Sequence, residues 1–304
     1  SGTGPTPTKE KTLLQALEYA TPQSVSDAVG LLNEDGVNAL VLAGGTDVIV
    51  QVREGHRPAD LVVDIKHIPD VNELSYNPSD GLHIGAAVPC YRIYGNEAIA
   101  RAYPGLMDAA SLVGGTAIQG RASLGGNLCN ASPAADTIPA LIAYSAVCTI
   151  VGPNGSRQVA VEDFCTGPGR TVLGKGEILV SFDIPAPEAN SSCYYLRFIP
   201  RNEMDIAVVG AGAKVVLSDD HCRFQSARIA VGAVAPTPLF VREAGDGLAG
   251  KAVSAEVIQE ASELAQGAAR PISDMRGTAE YRTHLTGVLT KRAIQGAVQR
   301  AKES

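Results

Sequence analysis

The sequence has no run of basic residues, and its formal charge is −7, with 25 Lys and Arg against 32 Asp and Glu. A protein that neutralises many nucleic-acid phosphates needs a basic stripe or patch, so nucleic acid is excluded as the main partner. No apolar stretch reaches the roughly 18 residues of a membrane span, and the opening residues carry no hydrophobic signal core. The chain therefore reads as soluble, intracellular and cytoplasmic, with no membrane span. The six cysteines (Cys90, Cys129, Cys148, Cys165, Cys193, Cys222) include no C-x-x-C pair, which leaves no local zinc or iron–sulfur ligand set. Gly210-Ala211-Gly212 lacks the third glycine of G-x-G-x-x-G, which would fall at Val215, and no G-x-x-x-x-G-K-[ST] occurs. The five histidines are too dispersed for H-E-x-x-H, no G-x-S-x-G elbow is present, and Cys129 has no nearby histidine to activate it. Hydrolase readings therefore carry little weight, and no local metal-ligand set is formed.

What is present is 304 residues, 45% hydrophobic, enough for two sizeable cores. Gly and Pro number 32 and 18 without a three-residue period, so the chain is turn-rich rather than collagenous. Val25, Ala28, Val29 and Leu32 at helical spacing predict a helix, with Ser24 to cap it and Gly36 to stop it. Strands are expected over 39–42, 60–65, 82–86 and 177–184, a helix face at Leu106, Ala109, Ala110 and Val113, and an Asn154-Gly155 hairpin between alternating runs. The segment 185–192, with two prolines and small polar residues, reads as a linker. Beyond it, strands near 205–217 and 227–234 precede helices over 254–267 and 278–301. Strands followed by helices make this an α+β architecture. The expected division is a flexible lead over 1–11, a domain over 12–186 with lobes of about 12–65 and 66–186, and a second domain over 193–304.

Two glycine-rich stretches carry the candidate chemistry. Leu42-Ala43-Gly44-Gly45-Thr46-Asp47-Val48 follows a strand, and Ala122-Ser123-Leu124-Gly125-Gly126-Asn127 pairs glycines with a hydroxyl. Glycines let main-chain N–H groups approach a phosphate with no Cβ in the way. Either bend alone is most simply a tight turn; together they can clamp one pyrophosphate.

Val41 to Val48, the run from Ala122 through Cys129-Asn130 to Asp136, Glu177 to Ser181, Arg201…Asp205-Ile206-Ala207 and Ala279-Glu280-Tyr281-Arg282 lie in one order along the chain. That order resembles the FAD-binding (medium) subunit of the molybdenum hydroxylase, xanthine dehydrogenase and carbon monoxide dehydrogenase family. The resemblance implies a two-lobed vanillyl-alcohol-oxidase-like (PCMH-type) FAD domain followed by a smaller domain of antiparallel sheet plus helices. It also implies an oxidoreductase whose flavin carries the redox chemistry, with no catalytic side chain and no metal ligand of its own. The cofactor residues it implies are Leu42, Ala43, Gly44, Gly45, Thr46, Asp47, Val48, Ala122, Ser123, Gly125, Gly126, Asn127, Cys129, Asn130, Asp136, Leu179 and Arg197. Asp136 is placed for a hydroxyl of the adenosine ribose, Leu179 against the flavin ring, and Arg197 as a cation near the flavin.

Many relatives read I-R-N-x-G-T-I-G-G where this chain has Ile118-Gln119-Gly120-Arg121-Ala122-Ser123-Leu124-Gly125-Gly126, and Arg121 is read as a solvated surface arginine. Residue types alone also allow Asp136 to cap the helical run 138–143, and Arg201 to pair with Asp205. Gly45→Val is expected to displace FAD because its side chain would fill the volume of a diphosphate oxygen. The family places 2Fe-2S clusters and molybdopterin in an iron–sulfur small subunit and a molybdopterin large subunit, in a dimer of heterotrimers. Electrons then pass to NAD⁺, quinone or oxygen. A self-contained flavin-dependent NAD(P)H reductase, active as a lone monomer, and a flavin-free scaffold, colourless with added FAD, are the alternatives.

Overall fold

A computed structural model describes residues 17–202 and 204–303; the expected 1–11 lead lies outside the described residues. The first lobe is a parallel sheet of Glu18–Ala20 (β1), Ala39–Leu42 (β2) and Leu61–Asp64 (β3), ordered β1-β3-β2. The helix Val25–Leu32 crosses between β1 and β2, and the Ser24 hydroxyl accepts a hydrogen bond from the Asp27 amide at 3.1 Å, as the sequence anticipates. Ala28, Val63, Ile65 and Ile68 close the core between helix and sheet. Past β2 the chain turns through Gly45 at φ +80° into a short helix, Val48–Arg53, that buries none of its residues.

The second lobe is an antiparallel sheet in the order β4-β5-β10-β6-β7. Its strands are Leu74–Asn77 (β4), Gly81–Gly85 (β5), Val147–Gly152 (β6), Gly155–Ala160 (β7) and Ile178–Ile184 (β10); Cys165–Gly167 (β8) and Arg170–Thr171 (β9) form a separate ribbon. β10 is central and covered on both faces, which is why Ile178, Leu179, Val180 and Phe182 form an apolar run rather than an alternation. Its register against β6 shifts between Leu179 and Ser181, a bulge at the residue expected to face a ligand. The hairpin turns one residue earlier than expected: Gly152 pairs with Gly155, so Pro153 and Asn154 make the turn. The helix anticipated through Val113 spans Pro104–Ala110 and leaves Val113 outside it. Six short helices between β5 and β6 cover the sheet, and Leu106, Leu124, Leu128, Ile138 and Phe182 lie in the resulting core.

The third sheet is a meander of Ser191–Phe198 (β11), Val209–Leu217 (β12), Phe224–Gly232 (β13) and Leu239–Phe240 (β14). Ala255–Ala268 and Ala279–Glu303 pack on it, burying Leu289, Ala293, Ile294 and Ala297. β12 is covered on both faces, and Gly212 lets the strand approach helix Thr137–Ala143 so closely that a Cβ there would sit 3.0 Å from the Pro139 carbonyl oxygen. The bidentate Arg300–Asp108 pair and the Arg228–Glu162 pair cross the same seam. The strand expected from about 205 starts at Val209. Met204 sits at φ +52°, and the Asp205 carboxylate accepts from the Ile206 amide and from Arg201.

Candidate functional site

A cleft of about 890 Å³ lies between these three parts, lined by β2, both glycine bends, the 132–136 turn, the start of β10, Arg197 and the 204–206 loop. Of the residues singled out in the sequence, Ala43, Gly44, Gly45, Thr46, Asp47, Val48, Ala122, Ser123, Gly125, Gly126, Asn127, Cys129, Asn130, Asp136, Leu179 and Arg197 line it. Leu42 does not; it is buried in β2 below the first bend, its carbonyl accepting from the Ile65 amide.

The bends, about eighty positions apart in sequence, touch. A Cβ on Gly44 would lie 2.1 Å from the Arg121 carbonyl oxygen, so only glycine permits this approach. Arg121 is exposed, as read from sequence, yet its Nε donates to the Gly44 carbonyl at 2.8 Å. Gly45 meets a conformational demand of its own. A Cβ there would lie 2.7 Å from Ile49 Cδ1, and the residue carrying it would have to adopt a left-handed backbone.

In the second bend Ser123 caps helix Leu124–Cys129, its hydroxyl accepting from the Gly126 amide at 3.0 Å, and Gly125 packs against Ala86, whose carbonyl oxygen a Cβ would meet at 2.4 Å. Among the described residues the main-chain amides of Gly44, Gly45, Thr46 and Asp47, and of Gly125, donate to no protein acceptor, whereas the antiparallel bridge between Pro89 and Ser123 engages the Leu124 amide. Unpaired amides from both bends on one cleft suit a bridging diphosphate.

Asp136 does not cap helix Thr137–Ala143. Asn127 does so instead, its Oδ1 accepting from the Thr137 amide at 3.3 Å and hydroxyl at 2.6 Å. The Asp136 carboxylate turns toward β11, where the Tyr195 hydroxyl donates to Oδ1 at 2.9 Å and Arg197 Nη1 to Oδ2 at 2.5 Å. Burial raises this carboxyl to about 6, against the opposing pull of Arg197 and Tyr195. The Arg197 side chain, 5% exposed, is thus a paired cation, and its Nε is buried without a partner among the described residues. Leu179, 2% exposed, belongs at once to the core and to the cleft wall. Arg201 pairs with Asp205 at 3.3 Å, as expected. Burial pushes the Cys129 thiol up to about 12, so it is no nucleophile, and burial likewise raises the Asp47 carboxyl.

The sequence reading missed Gln51, whose Nε2 donates to Asn130 Oδ1 at 2.9 Å and whose Oε1 is buried without a partner among the described residues. It also passed over Tyr195. Strand alternation was the available signal, because Tyr195 and Arg197, two apart on β11, share a face.

The family model described as FAD binding domain in molybdopterin dehydrogenase matches residues 15–187, and that described as CO dehydrogenase flavoprotein C-terminal domain matches residues 194–297. The chain is 33% identical over 288 residues to the carbon monoxide dehydrogenase medium chain of Afipia carboxidovorans, covering 94% of this chain and 98% of that one. It is 32% identical over 284 residues to the xanthine dehydrogenase FAD-binding subunit of Escherichia coli O157:H7, covering 93% and 96%. The solved structure of reconstituted CO dehydrogenase from Oligotropha carboxidovorans superposes with a TM-score of 0.89 at 31% identity, covering 94% of this chain and 98% of that chain. The chain belongs to the family of FAD-binding subunits of molybdenum-dependent dehydrogenases of the xanthine and carbon monoxide dehydrogenase type, the flavoprotein components of these oxidoreductases.

Proposed function

We propose that this chain is the electron-relaying FAD subunit of a cytoplasmic molybdenum hydroxylase. It takes electrons from an iron–sulfur small subunit carrying 2Fe-2S clusters, beside a molybdopterin large subunit, in a dimer of heterotrimers, and passes them to NAD⁺, quinone or oxygen. The supporting observation is the meeting of two distant glycine bends, with unpaired amides, on one cleft. Bound FAD supplies reversible two-electron chemistry. The chain's own residues do the rest. Amides of 44–47 and of Gly125 hold the diphosphate, and Asp136 keeps acceptor capacity for a ribose hydroxyl beyond its bonds from Tyr195 and Arg197. Leu179 presents an apolar wall that excludes water from the ring. The Arg197 charge, offset by Asp136, gives milder electrostatic support than a bare cation would.

The domain division of 12–186 and 193–304 is part of the same proposal: one unit holds the dinucleotide and the other completes the cleft with Arg197 and the 204–206 loop. An absorption spectrum of the purified chain before and after anaerobic NADH tests the function. Flavin bands that bleach support the cofactor and a nicotinamide acceptor, and bands that persist move the acceptor to quinone or oxygen. A colourless protein that takes up no added FAD overturns the proposal.

A further inference from the structure

We infer that Arg121 is a positioning residue for the dinucleotide, acting through the Gly44 carbonyl and not through its charge. The inference rests on reading the cleft as the FAD site. Arg121 is exposed and absent from the cleft lining, and it forms no ion pair among the described residues. Among the described residues its side-chain hydrogen bond runs from Nε to the first bend, at 2.8 Å, while its own carbonyl lies beneath Gly44. The residue thus holds the Gly44 peptide from both sides, by its main chain and its side chain.

A second strut joins the same two segments further along: Gln51, on the helix after the first bend, donates to Asn130, which ends the helix after the second. One strut leaves a pivot, whereas two fix a line. The parallel-sheet lobe carrying the first bend and the antiparallel lobe carrying the second are therefore set at a fixed separation before any ligand arrives. Binding then costs less ordering of the cradle, which is how preorganisation raises affinity. In this chain the arginine of the second bend has been spent on the spacing of the cradle, from its outer side.

The test uses the full chain stripped of flavin, with Arg121→Met and Arg121→Gln. Gln Nε2 falls at the same place along the side chain as Arg Nε, so it restores the donor without the charge; Met matches the length and restores neither. Arg121→Met is expected to raise the FAD dissociation constant about tenfold, a change of about 1.4 kcal/mol, chiefly through faster release. Arg121→Gln is expected to stay within about threefold of the parent. Melting temperatures of both flavin-free variants should stay within about 2 °C of the parent, as for an exposed substitution. The Met effect should be the same at about 0.05 M and about 0.5 M ionic strength, because a contact through a carbonyl is not screened as a charge would be. The inference is overturned if Arg121→Met binds FAD like the parent, if Arg121→Gln is as weak as Arg121→Met, or if the flavin-free protein melts earlier in step with lost affinity. A parent chain that binds no FAD overturns the proposed function as well, so the two failures are distinguishable.

Discussion

Replacing Gly44 by alanine places a methyl group 2.1 Å from the Arg121 carbonyl oxygen, 2.7 Å from its carbon and 3.1 Å from the Ala122 nitrogen. All three are main-chain atoms, so no rotamer change relieves the clash. A carbon rests against an oxygen at about 3.3 Å, so the seam between the bends must open by roughly 1.2 Å along that line. Overpacking of this kind costs about 1–3 kcal/mol, and loss of the Arg121 to Gly44 hydrogen bond adds about 1 kcal/mol. The flavin-free protein should therefore lose about 2–4 kcal/mol in chemical denaturation. Its FAD affinity, read by quenching of flavin fluorescence, should fall about 100-fold, the scale on which a misplacement near 1 Å is felt at a positioned site. Gly30→Ala is the control: it lies inside a helix with nothing within 4 Å, and should gain about 0.5–1 kcal/mol with FAD binding unchanged. Binding of FAD by Gly44→Ala within about threefold of the parent would refute the reasoning.

Four further outcomes are expected. Asp136 sits at about 6 in the fold against an ordinary 3.8, so between about pH 4 and 6 the native state holds more protons than the unfolded chain, and the stability it contributes falls as pH rises through that window. The stability of the parent minus that of Asp136→Asn should decline from pH 4 to 6 and level off above; growth over that range would contradict a carboxyl raised by burial. Arg282→Met removes a buried guanidinium that donates to the Val208 and Ala233 carbonyls and to Asp274, and should cost about 3–5 kcal/mol in equilibrium unfolding, with a loss under about 1 kcal/mol counting against it. Arg300→Met breaks the partly buried bidentate bond to Asp108 across the seam between the second lobe and the third sheet, and should lower stability by about 1.5–3 kcal/mol without changing the position of the flavin bands. Gly45→Val meets a left-handed backbone and Ile49, so it should lose stability together with FAD; intact stability with flavin lost would instead favour a side chain projecting into the ligand.

The residues that could be read from sequence are those whose role is local. Ser24 before an apolar period and Gly44-Gly45 after an apolar run announce their turns because neighbours within a few positions determine them. The long helix Ala279–Glu303 shows a sustained period, whereas Cys90–Tyr94, Thr116–Gln119 and Leu124–Cys129 are too short for one to emerge. β11 went partly unread because small polar residues at its start look like linker, although Leu217 and Asn190 bond there to open the meander. Non-local pairings gave no signal. Asp136 looks like a helix cap until Tyr195 and Arg197 arrive from another sheet, and nothing in the spacing of Arg121 announces its bond to the Gly44 carbonyl. Membership of the family orders the motifs along the chain; which side chains brace one another across the lobes depends on packing that no spacing encodes.

The most direct measurement is a crystal structure of the chain with FAD bound. Diphosphate oxygens within hydrogen-bond reach of main-chain amides from both 44–47 and Gly125, with the Arg121 to Gly44 bond intact behind them, is the result expected. A diphosphate held by only one bend, or by side chains elsewhere in the cleft, would contradict the clamp on which the flavin assignment of these residues stands.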